Sequence, residues 1–467
     1  MTNGVWAALL IVALLLLSAL ALHIDRKSAT PVMLHNLIWV IALTLVGTDL
    51  IRYTNASSEA WLVLFSSILA FNIGALWSIG PRERRDANLE SSGSSLAIVS
   101  RPILVILLLV YAAAVIVYLW TIAGRFGIGT LITDPGSIRS AKGQSYLQSV
   151  PMVARTALFL GPFLFAVLIF KRSMLNPLRL GGRVLLASGI AVSMALLLQR
   201  TNLFMGVLLV IGLYIPWVID QGHSVSDGAA RKAMRKTLAV IAISGLVLIG
   251  AFQIIGSALG KEGQQALSTG AVSAPLANSG LTSIFHYATS GIPAFLQLVD
   301  SENFTEPPPL VAGGPIRVGD YNPQTWGAAT FAPLLKLVPI ADAPESIAAF
   351  IDIGVLTNVF TWNEPLYRDF RIAGVALGML VIGFTITHMF KYRNRSPFHY
   401  WTQALLMSTI FLTTFVMKLN NTLTIATFTL IAFCAISISL QHKTRNRHRR
   451  NLTSNGPTHS MHAGDVR

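Results

Sequence analysis

The stretch PILVILLLVYAAAVIVYLWTIA, residues Pro102 to Ala123, contains no charged side chain. As a helix rising 1.5 Å per residue it reaches about 33 Å, enough to cross the ~30 Å hydrocarbon core of a bilayer. Working outward, apolar runs of about bilayer length recur near residues 4–22, 31–51, 60–79, 102–123, 153–170, 184–198, 202–219, 237–256, 371–390, 399–417 and 421–440. The reading is an all-α polytopic membrane protein of about eleven transmembrane helices. The first run lacks a basic leader and a small-residue cleavage site, so it is expected to be a retained helix. Composition agrees: 53% of the 467 residues are hydrophobic, 12% are charged and the mean hydropathy is +0.61. Soluble chains carry roughly 25% charged residues, so a disordered chain is excluded and a soluble enzyme disfavoured. The single cysteine, Cys434, excludes an intramolecular disulfide.

Lys and Arg total 35 against 20 Asp and Glu, a net charge of +15. Such an excess could point to nucleic acid, but on an apolar chain it first reports loop orientation. Eleven spans put the termini on opposite sides. One set of alternate connections carries Arg26, Lys27, Arg82, Arg84, Arg85, Arg101, Lys171, Arg172, Arg179, Arg183, Arg231, Lys232, Arg235, Lys236, Lys391, Arg393 and Arg395. The C-terminal tail adds Lys443, Arg445, Arg447, Arg449, Arg450 and Arg467 on the same side. Almost the whole excess therefore lies on one side, and the other is close to neutral. By the positive-inside rule the N-terminus is expected outside and the C-terminus in the cytoplasm, with the protein in the inner (cytoplasmic) membrane.

The division expected is residues 1–256 for helices 1–8, 257–370 for a large outer loop with short helices, 371–440 for helices 9–11, and 441–467 for a basic, disordered tail. The tail's His442, His448, His459 and His462 lack regular metal-ligand spacing, and headgroup binding suits it better. The outer loop has helix-like stretches near 281–299 and 345–357, separated by a Pro/Gly-rich section running from Pro307 to Pro323. Loops this long are functional or disordered, and its rings (Phe285, Tyr287, Phe295, Trp326, Trp362, Tyr367 among them) favour order and sugar stacking.

Twelve bases stay on the outer side despite the topology rule: Arg52, Arg125, Arg139, Lys142, Arg155, Arg200, Lys261, Arg317, Lys336, Arg368, Arg371 and Lys418. Taken singly, each reads as a side chain snorkelling to headgroups. Several converging on one face would grip a lipid diphosphate, for which a forked guanidinium is suited. Asp369, flanked by Arg368 and Arg371, reads as an ion pair or helix cap, or as a carboxylate activating an acceptor hydroxyl. Glu364 carries the same alternatives. His286 reads as a structural histidine or as a base of suitable intrinsic pKa. Phosphate-binding loop, HExxH and Cys/His zinc signatures are absent. Neither an intramembrane charge series nor a matching repeat of broken helices stands out, which disfavours a transporter.

Three segments in this region carry a resemblance. Thr357-Asn358-Val359-Phe360-Thr361, followed by Leu366-Tyr367-Arg368-Asp369-Phe370 and Gly374, resembles a block of the O-antigen polymerase family. That family's pattern is Asn-Val-Tyr-Thr, a tyrosine-containing stretch, then Asp-Phe-Gly before a membrane helix. Tyr287-Ala288-Thr289-Ser290-Gly291 is similar to its Tyr-x-x-x-Gly segment, and Gly327-Ala328-Ala329-Thr330-Phe331 to its Gly-x-x-Thr-Phe segment. Arg200, at the outer end of a span, looks like the family's arginine position. One departure is Arg371, standing where the family usually has glycine.

The resemblance implies a metal-independent, cofactor-free glycosyltransferase of the GT-C class. Such an enzyme polymerises undecaprenyl-diphosphate-linked repeat units of O-antigen, capsule or exopolysaccharide on the outer face of the cytoplasmic membrane. Its partners would be the lipid-linked donor and acceptor, membrane lipids and a chain-length regulator, with no nucleic acid. Arg200 and Arg371, then Arg155, Lys261 and Arg317, would bind diphosphate. Asp369, Glu364 and His286 would be base or orienting groups, and Tyr287, Asn358, Thr361 and Tyr367 would line the sugar site. An O-antigen ligase, kept open by His286, and a lipid-linked oligosaccharide flippase without chemistry are the alternatives.

Overall fold

The computed structural model of the protein describes residues 2–80, 96–127, 129, 130, 138, 149–170, 172–174, 178–196, 200–221, 250, 272, 273, 276, 282–302, 329–331 and 351–454. The helices are α1 (Asn3–Ile24), α2 (Thr30–Gly47), α3 (Ser58–Ile79), α4 (Arg101–Phe126), α5 (Met152–Ala157), α6 (Leu160–Ile169), α7 (Leu180–Leu196), α8 (Arg200–Gln221), α9 (Thr282–Thr289), α10 (Gly291–Glu302), α11 (Glu364–Lys391), α12 (Pro397–Ile410) and α13 (Thr422–Ser454). A two-stranded antiparallel ladder, β1 (Ile351–Asp352) with β2 (Leu356–Thr357), precedes α11.

Among the described residues eight helices are long and apolar enough to cross a membrane, and α7 is a shorter apolar helix of 17 residues. The faces they leave open are apolar: Leu16 is 67% exposed, Leu185 74% and Trp120 81%. Contiguous apolar surface of this kind would be a liability in water and is the ordinary boundary with lipid. The chain is a multi-pass, all-α membrane protein.

Two apolar cores organise the bundle. One joins α1, α2, α3, α10 and α11, with Trp39, Trp61, Phe71 and Trp362 at its centre. The other joins α4, α6, α7, α8 and α13 around Phe163, Phe170 and Trp401. Helix α12 belongs to both: Met407 and Ile410 face the first, Tyr400, Trp401, Ala404 and Leu405 the second. Small residues set the closest approaches, as membrane helix packing requires. A Cβ at Gly74 would overlap the Leu380 carbonyl, one at Gly383 the Phe71 carbonyl, and one at Gly212 the Ala404 carbonyl. Within the first core Asn36 donates to the Leu14 carbonyl (3.2 Å), the Ser18 hydroxyl (3.0 Å) and Asn72 (3.0 Å), tying α1, α2 and α3 through polar groups.

The two ends of the bundle differ. At one end Lys391 donates to the carbonyls of Ser78, Ile79 and Gly80, and Arg183 to those of Leu168 (2.7 Å) and Ile169 (3.0 Å). Arg393 pairs with Asp220 there. These cations satisfy the orphan carbonyls that terminate α3 and α6, which carry the negative end of the helix dipole. At the other end Ser57 caps α3 and bonds Asp300, the Thr54 amide donates to the Ile353 carbonyl (3.1 Å), and the Ser273 amide to the Leu50 carbonyl (2.9 Å).

Two spans are interrupted. Arg371 has φ 57°, ψ −150°, outside the helical region. Leu366 side-chain atoms lie 2.8 Å from where a Cβ on Gly378 would stand, a meeting that twelve helical residues in line would hold about 18 Å apart. The chain therefore reverses at Arg371: residues 364–370 run antiparallel to the long helix 372–391. The expected start at 371 is thus the turn of a hairpin. The expected span 399–417 is likewise shorter, because α12 stops at Ile410 and turns replace it through Phe415.

Other expectations are corrected locally. Within 345–357, residues 351–357 form the β ladder rather than helix, turning at Gly354 (φ 89°) between β-branched Ile353 and Val355. Past 440 the backbone of α13 remains helical to Ser454, so the boundary of regular structure falls inside the presumed tail. The expected span 237–256 and most of the loop 257–370 lie outside the described residues. Substitution Gly74→Val should cost more than the ~1–3 kcal/mol typical of overpacking, because the obstacle is backbone. Gly189→Ala, on an open stretch of α7 with nothing within 4 Å, should be neutral or stabilising. Fluorescence-detected size exclusion of heated, detergent-solubilised protein separates the two.

Candidate functional site

The chain entering the hairpin meets the interruption after α12. The Trp362 amide donates to the Thr413 carbonyl at 2.8 Å, joining the entry of α11 to the turns after α12. The Trp362 ring lies 5.4 Å from Phe71 and 5.6 Å from His35, level with the middle of α3. Non-helical backbone at such depth is tolerated only where protein or water surrounds it. Here Thr361, Trp362, Asn363, Glu364, Thr413 and Thr414 are all buried.

Helices α9 and α10 close the same region. The Thr357 hydroxyl bonds the Ser290 hydroxyl (3.3 Å) between them. Glycine is required at 291, where a Cβ would overlap the Thr414 carbonyl and approach the Phe360 carbonyl carbon at 3.4 Å. Tyr287 tilts against Phe415, with ring centroids 5.6 Å apart. From the far side, Asp369 accepts the amides of Ala329 (3.1 Å) and Thr330 (2.6 Å), and Asn420 donates to the Ala329 carbonyl (2.9 Å). Segments around 290, 330, 360 and 415 thus form one cluster.

Polar atoms remain unmatched there. Thr361 Oγ1, Trp362 Nε1, Asn363 Oδ1 and Thr413 Oγ1 are buried and have no hydrogen-bond partner among the described residues. Each such group costs about 1–3 kcal/mol, and others, Trp39 Nε1 and Gln403 Oε1 among them, are unmatched elsewhere in the bundle. Asn363 is held by its other end, donating to Ser67 at 2.9 Å.

The predicted residues divide into three groups. Glu364 is buried and accepts from Arg368 Nε at 2.8 Å, with side chains 5% and 3% exposed. His286 is fully buried in α9, one turn before Ser290. Thr361 and Tyr367 are buried within the cluster and Asn358 is half-buried at its edge. Tyr367 stands edge-on to Phe295, with centroids 5.8 Å apart. These come together. Asp369 belongs to the cluster as a tether, with both carboxylate oxygens on backbone amides. The ion pair expected of it is made by Glu364 instead, because four residues along a helix, not one, put Arg368 beside its carboxylate.

Arg371 is exposed at the hairpin tip, 5.6 Å from the Tyr367 ring centre. Arg155 is half-buried in α5. Arg200 begins α8, its side chain outside the described residues, as are Lys261 and Arg317 altogether. No group of three or more His, Cys, Asp or Glu side chains among the described residues could hold a metal ion.

Sequence reasoning passed over Ser290, Asn363, Thr413 and Thr414. Their one legible trace was a run of hydroxyls, Thr409, Thr413 and Thr414, at the end of a stretch otherwise apolar enough to be read as a continuous span. No family model, curated protein or solved structure matches the chain.

Arg371 occupies a backbone region that is essentially glycine's, at a cost of about 1–3 kcal/mol. Arg371→Gly is therefore expected to raise the thermal midpoint of the purified protein. Asp369→Ala should release the 329–331 turn, read as faster limited proteolysis there, with about 1.5–3 kcal/mol lost for each charge-assisted bond.

Proposed function

We propose that the protein is a membrane glycosyltransferase of GT-C type that polymerises undecaprenyl-diphosphate-linked repeat units of O-antigen, capsule or exopolysaccharide. One observation carries the reading. The three segments that resemble the polymerase family, separated by tens of residues in sequence, are the ones that meet: Ser290 on Thr357, and Ala329 and Thr330 on Asp369. The departure at Arg371 fits as well, since the backbone there has the conformation of the glycine usual at that place.

In this reading the bundle end bearing Ser57 and Asp300 faces outward and the Lys391 end faces the cytoplasm. The charge partition supports that orientation, with the N-terminus outside and the C-terminus inside. The acceptor hydroxyl would lose its proton to a base as its oxygen bonds the donor's anomeric carbon. The bond from that carbon to the diphosphate would break, its electron pair leaving on the phosphate oxygen. Glu364 and His286 are the candidates for the base, while Asp369, committed to two amides, positions the loop. Arg368 is oriented by Glu364, and Arg200, Arg371, Arg155, Lys261 and Arg317 remain candidates for stabilising the departing diphosphate. Thr361, Asn358, Tyr287 and Tyr367 would line the sugar site. A chain-length regulator is the protein partner this activity implies.

His286, buried beside the cluster, favours one second reading, an O-antigen ligase. A deletion strain distinguishes them: polymerase loss reduces a polysaccharide ladder to a single repeat unit, and ligase loss removes the linked glycan entirely. Accumulation of lipid-linked units on the cytoplasmic side would indicate a flippase and overturn both. In the complemented strain Glu364→Gln should lower chain growth by about 10²–10⁴-fold if Glu364 is the base, with membrane level unchanged. Arg200→Ala should likewise abolish the ladder; normal long chains from that variant would remove Arg200 from the site.

A further inference from the structure

The segment 411–421 between α12 and α13 touches each of the three clustered segments. Thr413 receives the Trp362 amide, the Thr414 carbonyl abuts Gly291, and Asn420 donates to Ala329. Met417 is buried in the first core, and Leu419 packs against it. Between these two apolar neighbours stands Lys418, 8% exposed. Its carbonyl accepts the Asn421 amide (3.1 Å), its ammonium forms no ion pair seen among the described residues, and burial pulls that ammonium down to about 8. The acids of the cluster are engaged elsewhere, Glu364 by Arg368 and Asp369 by two amides.

A buried cation with no counter-charge is among the most costly features a fold can carry. A bound anion would supply the missing counter-charge, and the unmatched Thr361 and Thr413 hydroxyls and the Trp362 indole N–H, in the same cluster, are donors available to it. A compact ammonium on a flexible stem suits a phosphate approached from one side.

We infer that Lys418 binds the phosphate of a polyprenyl diphosphate within the cluster formed by segments 290, 330, 360 and 415. The inference rests on the proposed function for the identity of the lipid, not for the presence of an anion site.

The test uses full-length protein in detergent, with undecaprenyl diphosphate as the probe and phosphatidylglycerol as competitor. Lys418→Met is expected to weaken probe binding about tenfold or more, the worth of one hydrogen bond to a charged group. Lys418→Arg is expected to retain most of it. Without probe, Lys418→Met should melt at or above the wild-type temperature, since a buried charge has been replaced by an apolar side chain of similar length. Wild-type affinity in Lys418→Met overturns the inference. So does a large fall in its melting temperature, which would mean that an acid elsewhere in the chain pairs with Lys418. Equal competition by phosphatidylglycerol overturns it too, by reducing the site to a general headgroup contact. Probe binding that depends on Lys418, in a protein whose deletion leaves the polysaccharide ladder intact, would sink the polymerase reading and leave the anion site standing.

Discussion

The hydrogen bond from the Trp362 amide to the Thr413 carbonyl is the point on which the site depends. In hydrocarbon each backbone polar group must find its partner within the protein. An interrupted helix exposes several at once. The chain entering α11 and the turns after α12 satisfy one such pair of groups at the level of Phe71. The apolar cores that enclose them, with Trp39 and Phe71 on one side and Trp401 on the other, keep lipid away.

The close approach of α3 and α11 serves the same end. Gly74 and Gly383 bring the two backbones together where any side chain would collide with a carbonyl. That contact sets the depth at which the hairpin 364–391 sits. It therefore also sets the depth of Glu364 and Arg368. The charged pair is buried, and its geometry comes from one turn of helix, four residues apart.

Much of the site was legible as residue types and little as positions. Glu364, His286, Thr361 and Tyr367 were read as candidates and lie in or beside one cluster. Asp369, whose sequence context suits an ion pair, a helix cap or a base, is a tether, because its oxygens meet two amides from a segment some forty residues earlier in the chain. Arg371 is exposed at a hairpin tip, and its backbone does what glycine does. Long-range hydrogen bonds of these kinds leave no periodicity for a sequence reading to detect.

Hydropathy and charge alone determined the solvent of this protein. Runs of some twenty apolar residues can satisfy their backbone in lipid only as helices, and basic residues gathered on alternate loops separate the two ends. The sequence could not say where helices stop inside the membrane, since Thr409, Thr413 and Thr414 are apolar enough to be read through. Only the tertiary structure decided that, by bringing Thr413 to Trp362 and Thr414 to Gly291. A hydroxyl costs little in a span, and whether the backbone beside it continues or breaks depends on the partner waiting for the released amide or carbonyl.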